Sequence, residues 1–128
     1  MREILFRGKR IDSGEWVYGT MYKIAIDFNP FILTGEKSGC SYQVDEETVG
    51  QYTGLNDKNG KRIFEGDIAK VLQGKGKDIA YVGFENGAFM LYPKTGNIYE
   101  RNLWSYWYND LDVEVIGNIT DNPELMEK

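Results

Sequence analysis

The pair of carboxylates in the corner Glu65-Gly66-Asp67 is the combination of side chains in this sequence that comes closest to a catalytic or metal-binding arrangement. Its two carboxylates lie two residues apart in a predicted tight turn, and Asp57 and Asp45 could lie nearby. Carboxylates of this kind bind Mg²⁺ or transfer protons in acid–base catalysis. In the alternative, structural interpretation, Asp67 accepts backbone N–H groups and Gly66 adopts the positive φ that glycine tolerates best. We favour the structural interpretation over a metal-dependent enzyme.

The sequence contains no histidine and a single cysteine, Cys40. The lack of histidine removes the commonest general base and the usual activator of a serine or cysteine nucleophile. One cysteine without histidine excludes a standard zinc site. Lys37 is the only basic residue close to Cys40, so we expect a structural or incidental thiol rather than a nucleophile, since a free cysteine usually packs as a small hydrophobe. We assign no catalytic residue, no metal ligand and no cofactor.

The segment Gly74-Lys75-Gly76-Lys77 could cradle a phosphate group. Phosphate loops of known mechanism open directly into a helix, whose N-terminus binds the anion. A β-prone run follows this segment instead, so we predict a flexible hairpin loop over residues 73–78.

The densest aromatic cluster is a candidate contact surface, because tryptophan and tyrosine are enriched at protein interfaces. The same side chains could also close a hydrophobic core or stack on a ligand. Helical spacing within the cluster predicts one or two turns of helix. Its members are Trp104, Tyr106, Trp107 and Tyr108, of which we expect Trp104, Trp107 and Tyr108 to make contacts.

The basic cluster lies at the N-terminus, and Trp16 is expected to face it across a first hairpin. Such a cluster could contact nucleic-acid phosphates, which predicts binding that falls steeply with salt. Charged side chains also protect edge strands from unwanted pairing, and we favour that role. The cluster consists of Arg2, Arg7, Lys9 and Arg10, and the nucleic-acid hypothesis rests on Arg7, Lys9 and Arg10.

Length and composition favour one small folded domain with no membrane segment. The chain has 128 residues, 41% hydrophobic and 14% aromatic, with 15 glycines and 3 prolines, a balance typical of short strands joined by turns. No stretch approaches the roughly 20 apolar residues of a membrane span, and the N-terminus lacks a signal-peptide core. The net charge is −5, which lowers the expectation of nucleic-acid binding. We expect a cytoplasmic protein.

Turn and alternation signals predict mainly antiparallel strands. Asn59-Gly60 and Asn86-Gly87 are strong signals for type I′ hairpin turns, in which both central residues need positive φ. Asp67-Ile68-Ala69-Lys70-Val71 then alternates as a half-buried strand does. In the second hairpin, Tyr81 and Phe89 are expected to be cross-strand partners.

Two short helical turns are also predicted. Asp45 could cap a turn formed by the acidic residues that follow it. Near the C-terminus, Asn122 and Pro123 form a helix-start signature, with Asn122 as N-cap.

The central stretch, residues 53–68, resembles the core motif of the YopX family. It reads Thr-Gly-Leu-x-Asp-Lys-Asn-Gly-Lys-x-Ile-x-Glu-Gly-Asp-Ile. Residues 6–11 with 14–19 resemble the start of that family, and residues 114–119 with 122–125 resemble its end. The resemblance implies a mostly β fold with an SH3-like barrel portion and an origin in a phage or prophage. It brings no assigned activity and no catalytic residues.

We therefore expect a mainly β, single-domain protein of short antiparallel strands. Residues 1–50 would form an N-terminal β subdomain led by a hairpin, residues 51–119 a barrel-like part, and residues 120–128 a C-terminal helical turn. The leading function is a non-enzymatic phage accessory protein that contacts itself as a homo-oligomer and an unknown host or phage protein. The alternatives are nucleic-acid binding at the N-terminal hairpin and a metal-dependent site at Glu65 and Asp67.

Overall fold

A computed structural model describes residues 3–35, 39–98, 101–108 and 112–127, with only the backbone of Trp107 and Tyr108. Most of the described residues with regular structure lie in antiparallel strands, which confirms the mainly β prediction. The contact pattern divides the chain into two compact units, Met1–Tyr52 and Thr53–Lys128. The strands are β1 (Phe6–Lys9), β2 (Trp16–Tyr22), β3 (Phe31–Leu33), β4 (Ser41–Gln43), β5 (Gly50–Asn56), β6 (Arg62–Phe64), β7 (Asp67–Gln73), β8 (Gly76–Glu85), β9 (Ala88–Pro93) and β10 (Val113–Asn118); the helix is α1 (Leu103–Tyr108).

The first unit is a sheet in the order β4-β3-β2-β1-β5. The predicted first hairpin is confirmed, since Lys9 lies opposite Trp16 and the β1–β2 pair is antiparallel. An isolated bridge also joins Arg10 to Val44. Ile32 and Val44 are fully buried and form the centre of this unit's core. The predicted Asp45 cap is confirmed as well, because its carboxylate accepts the Glu47 N–H at the start of a 3₁₀ turn, Glu46–Thr48.

Close packing in the first unit depends on glycine at position 8. A Cβ on Gly8 would lie 2.8 Å from Cγ2 of Val44. Real Cβ atoms do not approach a carbon atom this closely, so the bare backbone of β1 allows the buried valine to pack against it.

The second unit is built on a sheet in the order β10-β7-β8-β9, with β6 beside the later part of β5. Its core combines the inward side chains of β7, β8 and β9 with α1, which confirms the predicted helix. Asn102 caps that helix, because its side-chain oxygen accepts the Trp104 N–H at 3.0 Å. The buried core residues are Ile63, Ala69, Val71, Ala80, Val82, Leu91, Ile98, Leu103, Tyr106 and Val113. The barrel-like part predicted from the resemblance is not confirmed, since the sheets are not closed.

Identical Asn-Gly dipeptides form different turns. Asn86-Gly87 is a two-residue turn with φ of 54° and 81°, as predicted for type I′. Asn59 is not among the described residues with positive φ, so the type I′ prediction there is wrong. Residues 57–61 form a longer loop instead, because the Asp57 carboxylate accepts the N–H groups of Asn59 and Lys61, each at 2.9 Å.

Two predictions for the β7–β8–β9 region need correction. Tyr81 pairs with Tyr92, and Phe89 pairs with Phe84, because a two-residue loop fixes the β8–β9 register. The segment after β7 is a tight turn rather than a long flexible loop, since β8 already begins at Gly76.

The predicted C-terminal helical turn and its start are confirmed, with Asn122 at the N-cap position and Pro123 as the first helical residue, but the Asn122 side chain does not cap it. The helix is a short 3₁₀ segment, Pro123–Met126, without a side-chain N-cap. The Asn122 side chain turns back and accepts the Asn118 N–H at 3.2 Å.

Candidate interaction surfaces

The corner Glu65-Gly66-Asp67 has the geometry of a structural turn. The Asp67 carboxylate is buried and accepts the Phe64 N–H at 2.7 Å. Gly66 has a φ of 93°; its N–H donates to Val82 O, and its own oxygen accepts the Ile119 N–H. Within the described residues, no group of three or more histidine, cysteine, aspartate or glutamate side chains could hold a metal ion.

A second buried carboxylate, Asp57, organises the centre of the family-like motif. In addition to the N–H groups of its own turn, it accepts the Val115 N–H at 2.9 Å and so fastens β10 to the motif. Burial alone would raise the pKa of Asp57, but these backbone donors outweigh it and hold the pKa below its ordinary value. Sequence reasoning had treated Asp57 only as a neighbour of a metal site.

A third buried carboxylate, Asp78, holds the loop that follows β9. It accepts N–H groups from Thr95 at 3.0 Å and from Asn97 at 2.9 Å. Here too burial opposes ionisation, and the hydrogen bonds from Asn97 and Thr95 lower the pKa of the carboxyl. A Cβ on Gly76 would lie 2.4 Å from Asn97 O, so glycine is needed beside this loop.

A cavity of about 430 Å³ opens in the second unit. The Asp57 carboxylate that lines it already accepts three backbone N–H groups, from Asn59, Lys61 and Val115. The other lining residues are Gly54, Leu55, Asn56, Lys58, Ile63, Leu103, Tyr106, Asp112 and Val113. Cys40, expected to pack as a small hydrophobe, is exposed instead.

The basic residues of the first hairpin contact aromatic rings. Arg7 Cζ lies 4.7 Å and Lys9 Nζ 5.6 Å from the centre of the Trp16 ring, as expected for cations facing this tryptophan. Arg7 is only 7% exposed. Arg10 packs on Tyr42 and forms an ion pair with Asp12 at 2.8 Å. Lys9 and Arg10 are both half-buried, and the nucleic-acid hypothesis stays a prediction.

The loop between β2 and β3, residues 23–29, exposes large apolar side chains. The exposed fractions are 67% for Ile24, 92% for Ile26 and 53% for Phe28. We call these three side chains the apolar loop surface. Sequence reasoning missed it, although three apolar residues at alternate positions directly before Pro30, outside any predicted strand, were a usable signal.

Polar contacts join this loop to itself and to the 3₁₀ turn Glu46–Thr48. Lys23 Nζ donates to Ile26 O at 3.2 Å and to the Glu46 carboxylate at 2.6 Å. Asn29 Oδ1 accepts the Glu46 N–H at 3.1 Å, and Phe28 N–H donates to Ala25 O. The apolar side chains thus lie on a loop whose backbone and polar side chains are hydrogen-bonded within the first unit.

The predicted aromatic cluster divides between core and surface. Tyr106 is buried in the core of the second unit, while Trp104 is 56% exposed on α1. The side chains of Trp107 and Tyr108 lie outside the described residues. Trp104 is thus the one member of the predicted contact set whose described side chain can be placed, and it lies at the surface.

Together, fold and surfaces define a small, mainly β protein whose carboxylate corners are structural and whose exposed features are apolar and aromatic. The chain belongs to the YopX protein family, whose model matches residues 5–127. It is also similar to a solved structure, the crystal structure of protein EF1440 from Enterococcus faecalis. That similarity has 25% sequence identity and a TM-score of 0.63, and it covers 99% of this chain and 100% of the other. No curated protein matches the chain. No helix in the described part of the chain is long and apolar enough to cross a membrane.

Proposed function

We propose that this protein is a non-enzymatic accessory protein of a phage or prophage that acts through protein–protein contacts. The observation that carries this proposal is the apolar loop surface, which exposes Ile24, Ile26 and Phe28 together. Single exposed apolar residues are normal, whereas contiguous apolar surface marks interaction sites. The YopX resemblance supports the phage or prophage origin, and the cytoplasm of the bacterial host is the proposed compartment.

The hydrogen-bonded backbone of the loop supports a contact function. Binding normally costs free energy because loops and side chains lose conformational freedom, and a preorganised loop avoids part of that cost. The contacts of Lys23 with Ile26 O and Glu46 supply that preorganisation before any partner arrives. The loop therefore presents Ile26, the most exposed of its apolar side chains, as the residue that a partner would bury.

The proposed partners are a second copy of this chain and a host or phage protein. Exposed Trp104 is a second proposed contact, with Trp107 and Tyr108 as the further residues predicted from the sequence. Closed homo-oligomers are the commonest assemblies of soluble proteins. Self-association also needs no other partner, so this part of the proposal can be tested with the protein alone.

Sedimentation velocity over a range of concentrations tests self-association. We expect wild-type protein to form a species larger than a monomer, and Ile26→Ser to shift the equilibrium towards the monomer. Ile11→Ser is the matched control, because Ile11 is also exposed, at 52%, but lies in the β1–β2 turn. A monomeric wild type at every concentration, or equal effects of the two substitutions, would refute self-association through this loop.

A further inference from the structure

The two Asn-Gly dipeptides of this chain carry the groups for a reaction that needs no catalytic side chain. In such a dipeptide, the carboxamide carbon of asparagine lies within reach of the next backbone nitrogen, and glycine has no Cβ to hinder the approach. The chain contains this dipeptide at Asn59-Gly60 and at Asn86-Gly87. Since the reacting groups are identical, a difference in reactivity between the two sites comes from what surrounds them.

The Asn86-Gly87 dipeptide is open to solvent. Both residues are exposed, and their φ angles are 54° and 81°. Among the residues that the structure describes, no hydrogen bond reaches the Asn86 carboxamide or the Gly87 N–H. Solvent base therefore has direct access to the N–H group that must lose its proton before the nitrogen can react.

The end of the β8–β9 hairpin that carries this turn has little other support. In the described part of the chain, the pairing of β8 with β7 ends at Tyr81, whereas its pairing with β9 continues to Glu85 opposite Ala88. Local opening at the end of such an element costs far less free energy than global unfolding. The turn can therefore leave its closed geometry, which ring formation at Asn86 requires.

Hydrogen bonds hold the Asn59-Gly60 dipeptide in place. The Gly60 N–H donates to Asp57 O at 3.0 Å, and the Asn59 N–H donates to the Asp57 carboxylate at 2.9 Å. The same buried carboxylate accepts the N–H groups of Lys61 and Val115. Ring formation here would take the reacting nitrogen from its acceptor and disturb a buried charge, which raises the barrier.

We infer that Asn86-Gly87 is a site of spontaneous intramolecular deamidation, and that Asn59-Gly60 is protected from the same reaction by Asp57. The inference goes beyond the proposed contact function, because it involves neither the apolar loop surface nor a partner. It assigns a covalent modification to the end of the β8–β9 hairpin.

The reaction balances with water as the only co-reactant. The deprotonated Gly87 nitrogen attacks Asn86 Cγ, the new N–Cγ bond closes a five-membered succinimide ring, and the Cγ–Nδ2 bond breaks as ammonia leaves. Water then opens the ring at one of its two carbonyl carbons. Breaking the N–Cγ bond gives aspartate, and breaking the original peptide bond gives isoaspartate; no group is oxidised or reduced.

The products change the hairpin end in charge and in geometry. Each product adds a carboxylate next to Glu85, whose own carboxylate accepts the Tyr92 O–H at 3.0 Å. Isoaspartate also places an extra carbon atom in the backbone of a two-residue turn that sets the register of β8 and β9. The aged hairpin end should therefore exchange its amide hydrogens faster than the fresh one.

Peptide mapping of the aged full-length protein tests the inference. Folded protein is kept at mildly alkaline pH, digested at intervals, and analysed by mass spectrometry for the exchange of an amide for an acid, with isoaspartate resolved by chromatography. We expect the peptide with Asn86 to deamidate at least about tenfold faster than the peptide with Asn59, the ratio that one charge-assisted hydrogen bond supplies. In denaturing urea, the two rates should come close together.

Variants separate the cause from the dipeptide itself. Asp57→Ala removes the carboxylate that holds the Asn59 turn, so deamidation at Asn59 should accelerate while the rate at Asn86 stays the same. Asn86→Gln should abolish the change in its own peptide, because the longer side chain would have to close a larger ring. If Asp57→Ala does not fold, the comparison of folded and urea-denatured wild type decides.

Three outcomes would overturn the inference: no deamidation at Asn86 in folded protein, an equal or faster rate at Asn59, or a ratio of rates that is the same in urea as in the folded protein. Sedimentation of fresh protein reports the proposed self-association separately, because that experiment does not depend on the state of Asn86.

Discussion

Asp57, Asp67 and Asp78 have in common that each buried carboxylate accepts backbone N–H groups. A buried carboxylate is costly unless it is fully hydrogen-bonded, and charge-assisted bonds to backbone donors offset that cost. These side chains are thus committed to turns and loops, which leaves little capacity for a metal ion or a substrate. In the family motif, the Asp57 and Asp67 side chains are therefore placed to hold backbone turns and strands together.

Replacing Asp78 by asparagine tests this assignment. The amide group cannot accept hydrogen bonds at both of its ends, so either the N–H of Ile79 or the N–H of Asn97 loses its partner, since each donates to a different oxygen of Asp78. We expect the free energy of unfolding to fall by about 1–3 kcal/mol, measured by urea denaturation. Asp27→Asn, at an exposed position, should change it by less than about 0.5 kcal/mol. Equal stability of Asp78→Asn and wild type would contradict the assignment.

The pH dependence of stability should report the same carboxylates. The pKa values of Asp57 and Asp78 are lowered in the folded state, so their stabilisation is complete above the unfolded-state pKa of about 4 and is lost as the pH falls through the lower folded values. We expect the free energy of unfolding to drop below about pH 4, with a shallower drop in Asp57→Asn and Asp78→Asn. Identical acid profiles of wild type and both variants would rule out this contribution.

At the scale of elements, tight turns and glycine contacts determine the strand arrangement. The two-residue turn at Asn86-Gly87 sets every pair of the β8–β9 hairpin, including Tyr81 with Tyr92. In the first unit, the Gly8 backbone leaves room for the Val44 side chain to pack against β1. Val44 also forms an isolated β-bridge with Arg10, the residue that follows β1.

Substitution of Gly8 by alanine should destabilise the first unit. The added Cβ would overlap Val44, and overpacking of this kind costs about 1–3 kcal/mol. Val44→Ala removes both Cγ methyl groups but keeps the Val44 Cβ, which would lie 2.9 Å from the added atom. Part of the overlap is thus relieved, so the double variant should be more stable than the sum of the single effects predicts. Urea denaturation of the four proteins measures this coupling, and strict additivity would show that Gly8 and Val44 do not constrain each other.

The sequence predicted the elements better than their exact partners. Alternation was enough to predict β7, and the Asn86-Gly87 turn was enough to predict the β8–β9 hairpin. The turn at Asn59-Gly60 was predicted wrongly because the Asp57 side chain captures backbone donors, and a dipeptide rule does not include that competition. Asn122 occupies the predicted N-cap position, but its side chain makes no capping hydrogen bond for a similar reason, since the N–H of Asn118 donates to its side-chain oxygen.

At the scale of the whole molecule, the surfaces that indicate function are those where apolar side chains are exposed to solvent. Ile24, Ile26 and Phe28 were missed because apolar residues normally predict burial, and their alternate spacing before Pro30 was not interpreted as a sign of exposure; among the described residues all three are more than half exposed. Trp104 was predicted as a contact residue and is exposed, which is compatible with that role and does not test it. Both surfaces agree with a protein that acts by contact.

The most direct test of contact through the loop is amide hydrogen exchange, followed by mass spectrometry, at low and high protein concentration. If copies associate through the apolar loop surface, exchange in residues 23–29 should slow at high concentration and return to the dilute rate in Ile26→Ser. Exchange in the β8–β9 hairpin should be the same at both concentrations. Unchanged exchange in residues 23–29, or slowing confined to the Trp104 region, would contradict the proposed role of this loop.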